Sequence, residues 1–256
     1  MTSEPRAPRA SRAPTTQTAG PFSAWLRTTR RSQQLKVLGA DVPCGTCSGC
    51  CRSSYFIHIR PDETEALARI PRALVFPAPG APPGHVLLGY NERGECPMWI
   101  DQACSIYAHR PQTCRDYDCR VFPATGIAPN EDGLRSLIED QARRWRFELP
   151  TEGDRDDLAA VRAAAAFLQD HRASFPPDYL PRNPPQLAAL AIRVYDVFAA
   201  LATAEARTGR RPPDAEIARA VLAALEADAA APASERRRDH RQHQRHRGGR
   251  ARARAR

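Results

Sequence analysis

The stretch Cys44-Gly45-Thr46-Cys47-Ser48-Gly49-Cys50-Cys51 decides how the rest of the chain is read. Gaps of two residues let a turn aim successive sulfurs at one ion or one cluster edge. Gly45 and Gly49 allow the positive φ angles and close backbone approach that such a loop needs, and their amides can donate to sulfur and offset thiolate charge. A second group follows at Cys96, Cys104, Cys114 and Cys119, which completes the eight cysteines of the chain. Eight thiolates cannot sit together unneutralised. Either cations accompany them or most remain protonated. Unlinked buried thiols account for one or two cysteines in a core, not for eight confined to 44–119.

The compartment bears on this chemistry. Thr29-Arg30-Arg31 superficially resembles an export signal, but only Val37-Leu38-Gly39-Ala40 precedes Asp41. An apolar signal segment needs roughly 7–15 residues. No run of about 18 apolar residues occurs, so no membrane span is expected. A cytoplasmic, reducing location is therefore expected. There, disulfides are disfavoured and clustered cysteines read as metal ligands.

Two metal readings are open. Cys44, Cys47 and Cys50 fit the three-cysteine part of a ferredoxin run, in which a remote cysteine completes a four-iron cluster. Cys96, followed by Pro97, is a natural fourth ligand, although the next position of the ferredoxin run holds Ser54. Zinc would instead divide the eight cysteines into two tetrahedral sites of four. Adjacent side chains tend to diverge, so one arrangement sends Cys50 and Cys51 to different metals, and the sequence leaves the partition open.

The downstream segment Cys104-Ser-Ile106-Tyr107-Ala-His109-Arg110-Pro111-Gln-Thr-Cys114-Arg115-Asp-Tyr117-Asp-Cys119, taken with the first group and with Cys96-Pro97-Met98, resembles the YkgJ-like cysteine-cluster family of zinc- or iron-chelating domains. The likeness covers about residues 40–122. It implies metal or iron–sulfur binding. A flagellin lysine methylase carries a related cluster, but no G-x-G-x-x-G nucleotide loop is present here, so that activity does not transfer. Arg110 and Arg115 are candidate cofactor-binding residues, placed either to hydrogen-bond a thiolate-rich centre or to pair with Asp101, Asp116 or Asp118. His109 reads as a surface histidine and His58 as a core one. Tyr107 and Tyr117 are expected to cover the site, and Pro111 to fix the turn that returns Cys114.

Charge lies elsewhere. The chain has a net charge of +9, and residues 236–256 alone carry ten arginines against one aspartate. The remainder is near neutral, which excludes a basic binding face on the folded part. The tail, with His240, His243 and His246, is either a solvated extension or a non-specific contact for nucleic acid or an acidic partner.

The expected organisation is a disordered extension over 1–20, a cysteine-cluster metal-binding domain over 21–149, a helical region over 150–231 and a disordered basic tail over 232–256. Helices are expected over Phe22–Val37 (Phe22, Trp25, Leu26 and Leu35 inward), from Pro61 to about Ile70, over Glu131–Trp145, Asp154–Phe175 and Pro185–Thr208, and from Pro213 to about Ala229. Short strands are expected at Tyr55–Ile59 and Val86–Tyr90, with a proline-rich loop at 71–84 between them. The fold class is thus mainly α with short strands and irregular loops, a metal-stapled cysteine domain followed by C-terminal helices. Three functions fit: a metal-binding protein with a structural, redox or metal-transfer role; an iron–sulfur-dependent enzyme, oxidoreductase or methylase-like; or a nucleic-acid-associated module acting through the tail.

Overall fold

Alanine lets helices approach closely, and the two longest helices exploit it. Helix α6 (Glu152–Asp170) and helix α7 (Pro184–Thr208) form the centre of the larger hydrophobic core. The computed structural model describes residues 16–35, 40, 42, 44, 47–129 and 136–230, with the side chains of Gln34, Leu35 and Ser136 excepted. The readings of 1–15, 232–256, Gly45 and the Leu35 side chain fall outside those residues.

Each long helix starts where its sequence says it should. Thr151 accepts from the Asp154 amide and the Asp154 carboxylate returns a bond to the Thr151 amide, a reciprocal capping box. Asn183 accepts from the Gln186 amide at 3.3 Å, and Pro184 occupies the first helical position. Helix α1 (Phe22–Leu35) turns Phe22, Trp25 and Leu26 into the same core. Helix α8 (Asp214–Ala230) contributes Ile217, Val221 and Leu225. Helix α7 is long and apolar enough to cross a membrane by length and composition. Here Leu187, Leu190, Ala191, Val194 and Phe198 face the core, while Arg193 binds Asp228 of α8 and Asp196 binds Arg30 of α1. That two-faced arrangement is that of a core helix.

Two segments of this larger core depart from the sequence reading. Residues 17–20 were expected within a disordered extension, and Trp145 at the end of a helix. Instead, strand β1 (Gln17–Pro21) pairs in parallel with strand β7 (Trp145–Glu148), and helix α5 (Ser136–Ala142) stops before it. Trp145-Arg146-Phe147-Glu148 alternates apolar and charged residues, the period of a strand. Phe147 packs edge-on to Phe22 at 5.0 Å and against Trp25 at 4.8 Å. Burying those rings decides the local conformation.

The second core is smaller. Strands β2 (Ile57–Ile59), β3 (Val75–Pro77) and β4 (Val86–Leu88) form an antiparallel sheet in the order β2-β4-β3. Strand β3 lies inside the stretch read as a loop. Its proline is tolerated because β3 is an edge strand. Helix α2 (Thr64–Leu67) is a single turn, shorter than expected. Ile59, Ile70, Leu88, Met98 and Ile106 fill this core. The larger core draws on both sides of residue 150, joining Trp25, Phe122 and Trp145 to Phe167 and Val194. The cysteine loops run between the two cores.

Candidate metal centre

Each cysteine arrives on a local device. Cys47 donates its amide to the Cys44 carbonyl at 2.8 Å, closing the first turn. The Gly49 amide donates to the Cys47 sulfur at 3.4 Å, the amide-to-sulfur bond expected from the sequence. Gly49 itself has φ −51°, so its value is not a positive φ. A side chain there would stand 3.2 Å from the Leu137 carbonyl and 3.3 Å from Ile138, so glycine lets the loop lie flat on α5. One turn of 3-10 helix then carries Cys50 and Cys51.

Cys96 is brought back by a turn at Asn91–Gly94. The Asn91 carboxamide oxygen accepts from the Arg93 and Glu95 amides, both at 3.0 Å. Gly94 has φ +74°, and an added Cβ would sit 2.3 Å from the Ser54 hydroxyl. The Cys96 amide then donates to the Cys51 carbonyl at 2.7 Å, tying the two cysteine groups together. Cys104 comes on a hairpin of β5 (Trp99–Ile100) and β6 (Ala103–Cys104), whose loop residues Asp101 and Gln102 both have positive φ. That is the two-residue turn matching strand twist. Cys114 rides on α3 (Gln112–Asp116). Buried Pro111 precedes this helix, the Thr113 hydroxyl donates to the His58 carbonyl at 2.6 Å, and the Glu63 carboxylate accepts the Gln112 amide. Cys119 precedes α4 (Val121–Thr125) in the larger core.

Folding gathers these positions. Cys44, Cys47, Cys50, Cys51, Cys96, Cys104 and Cys114 line one cavity of about 500 Å3. Its other wall is apolar, with Phe56, Ile57, Leu88, Met98, Trp99 and Ile106. Cys119 lies behind, its sulfur accepting the Trp145 indole N–H at 3.2 Å. Among the described residues no three Cys, His, Asp or Glu side chains already close on one point as the ligands of a single ion do. The sulfurs surround a space.

The electrostatics follow from burial. Burial pushes the Cys50 thiol well up, and repulsion from Cys119, Cys51, Cys44 and Cys47 adds to it. Cys51 is pushed up to about 12 by burial and then by Cys96 and Cys104. Cys119 also reaches about 12, through burial, with the Trp145 bond acting in the opposite direction. Burial raises Cys114, Cys96 and Cys44 as well. Such thiols ionise when a cation takes the place of the proton. A soft, all-sulfur donor set of this kind fits zinc or iron.

The two arginines divide. Arg110 lines the cavity, stacks on the Tyr107 ring at 4.2 Å and favours the thiolate forms of Cys44 and Cys114. Arg115 donates to the backbone carbonyls of Arg110 at 3.1 Å and Ala108 at 2.8 Å, holding the loop that carries Arg110. Tyr107 and Tyr117 both line the cavity. His109 is a surface group beside Glu65 at 3.5 Å. His58 stands 2.8 Å from His85, ring nitrogen to ring nitrogen, on the sheet of the smaller core.

Three contributors were not singled out from sequence. Trp145 was read as helical, although the alternation of 145–148 is its strand signal. Glu63, inside the helix expected from Pro61, accepts the Arg60 amide there at 2.9 Å with one oxygen and holds the first amide of α3 with the other. Thr113 has no sequence signal, because its partner is 55 residues away.

Residues 43–131 match the family model CxxCxxCC, described as "Putative zinc- or iron-chelating domain". No curated protein and no solved structure matches the chain.

Proposed function

We propose, from the match of residues 43–131 to this zinc- or iron-chelating domain, that the protein holds iron, as an iron–sulfur cluster, or zinc through its cysteines, in a redox or metal-transfer role in a reducing, cytoplasmic setting. One observation carries the reading: seven cysteines from four separate chain segments line a single cavity between two hydrophobic cores. Thiols so buried resist ionisation and are of little use unless a thiophilic cation is present. The cavity side of the centre is bordered by side chains rather than sealed by them, which favours exchange or electron transfer over a purely structural staple. Bound metal would supply thiolate-ligated redox or Lewis-acid chemistry. The chain's part is to orient the sulfurs through the 44–47 turn, the 91–94 turn and α3, and to moderate their charge through Arg110.

Anaerobic purification with metal and sulfide analysis and visible absorption tests this. Iron with inorganic sulfide, or stoichiometric zinc, is the expected result. Colourless protein with neither metal overturns it.

The apolar wall supports a second reading. Phe56, Ile57, Leu88, Met98, Trp99 and Ile106 leave room for an organic substrate beside the metal, as an iron–sulfur-dependent enzyme requires. An iron centre whose electron paramagnetic resonance spectrum shifts on adding a small exogenous ligand supports that reading. A fully coordinated, redox-silent zinc protein overturns it.

A further inference from the structure

We propose that the eight cysteines form two four-sulfur sites: Cys44, Cys47, Cys50 and Cys119 against the larger core, and Cys51, Cys96, Cys104 and Cys114 against the smaller. The peptide bond between Cys50 and Cys51 joins them. The inference deepens the metal-binding reading and rests on it.

The two cores supply the geometry. Cys44 follows buried Val42 of the larger core and shares a closed turn with Cys47. Gly49, next to Cys50, lies against Leu137 and Ile138 of α5, and Ile138 belongs to that core. Cys119 is itself a member of it and is anchored there by the Trp145 indole at 3.2 Å. The other four are held from the opposite side. Cys96 and Cys104 pack on the smaller core. Cys51 is tied to Cys96 through their backbones at 2.7 Å. Cys114 sits on α3, which Thr113 fastens to β2.

The vicinal pair therefore splits, as adjacent side chains in one turn of 3-10 helix must, since about three residues make a turn and neighbours point apart. The ferredoxin-like run is completed by Cys119 and not by Cys96. Four thiolates per site satisfy either a tetrahedral zinc or an all-cysteine iron–sulfur cluster.

Cobalt titration of the full metal-free chain under anaerobic, reducing conditions decides the matter, because Co2+ bound by four thiolates has a distinctive visible spectrum. The expected result is saturation at two equivalents per chain. Cys119→Ser and Cys114→Ser should each leave one four-thiolate equivalent. Cys50→Ser with Cys119→Ser should also leave one, and Cys114→Ser with Cys119→Ser none. Cys96→Ser repeats the Cys114 result at a second position of its site, and Cys47→Ser repeats the Cys119 result should the buried Cys119 variant not fold. Saturation at one equivalent, or loss of both by any single variant, overturns the partition and leaves the metal-binding reading intact. No thiolate-bound cobalt at all overturns both.

Discussion

Asp118→Ala should cost this protein about 3–5 kcal/mol, the usual consequence of stranding one partner of a buried ion pair. The side chain of Asp118 is 4% exposed, and that of its partner Arg120 only 14%. Four donors converge on the carboxylate. The Arg120 guanidinium gives two at 2.8 Å, the Arg120 amide one at 2.9 Å, and the Trp25 indole one at 2.9 Å. Truncation removes both carboxylate oxygens at once and leaves the guanidinium with the Ala40 carbonyl at 3.5 Å and little water to turn to. For a domain of this size roughly 2–4 °C of melting temperature accompanies each kcal/mol, so the midpoint should fall by about 6–20 °C. The network borders Cys119, so the variant should also weaken metal retention. Chemical denaturation of the variant beside Arg120→Met and the double variant Asp118→Ala/Arg120→Met completes the cycle. The double variant, which removes both charges, should recover much of the loss. A single-variant cost below about 1 kcal/mol, or a double variant as unstable as the sum of the singles, would refute the account of a desolvated, mutually dependent pair.

Three further outcomes are expected. Gly94→Ala combines a positive φ of +74° with a Cβ placed 2.3 Å from the Ser54 hydroxyl, so stability should drop by about 1–2 kcal/mol or more, and cobalt affinity should fall because Cys96 is displaced; unchanged denaturation curves would show the turn is not needed. The Asp154 carboxyl is held down to about 2 against an ordinary 3.8, first by the Thr151 hydroxyl and then by the Ser23 amide. Its folded value is the lower one, so its stabilisation is complete above about pH 5 and is lost as pH falls towards 2; unfolding measured from pH 2 to 6 should show a shallower acid slope in Asp154→Asn, and identical slopes would exclude the capping box as the cause. Because burial raises the thiols of Cys51, Cys96 and Cys114 above an ordinary 9.0, metal must displace their protons; calorimetry in buffers of different ionisation enthalpy should find proton release and an affinity that drops steeply below neutrality, whereas uptake without proton release would mean the sulfurs are already ionised.

Much of this was legible in residue order. The stripe from Leu187 to Phe198, the proline and asparagine ahead of it and the acids opening α8 are local signals, and the helices follow them closely. Phe22, Trp25 and Leu26 turned inward as their spacing implies. The spacing of the cysteines and the Arg110-Pro111 segment pointed to one thiol-rich site, and the side chains of Tyr107, Arg110 and Tyr117 do line it. Two of the errors were of one kind. Strand β1 has the composition of an irregular segment, and only its parallel partner β7 holds it straight. Strand β3 carries proline and sits in a proline-rich stretch, and its ladder with β4 outweighs that local preference.

Arg115 shows the same limit at the site. Its position beside Cys114 suggested either a thiolate or a nearby aspartate as partner, and the guanidinium also reaches back to two carbonyls and steadies the loop bearing Arg110. By itself, then, the sequence pointed to the eight sulfurs as soft ligands, because their density, spacing and confinement to 44–119 leave few other uses for thiols. It also determined the helices whose caps and apolar stripes lie within one turn of each other. Only the tertiary structure decided that the cysteines stand between two cores and that Trp145 reaches Cys119. Those outcomes depend on contacts between residues many positions apart, and burying side chains on one core or the other selects among backbone paths that local preference leaves nearly equal in energy.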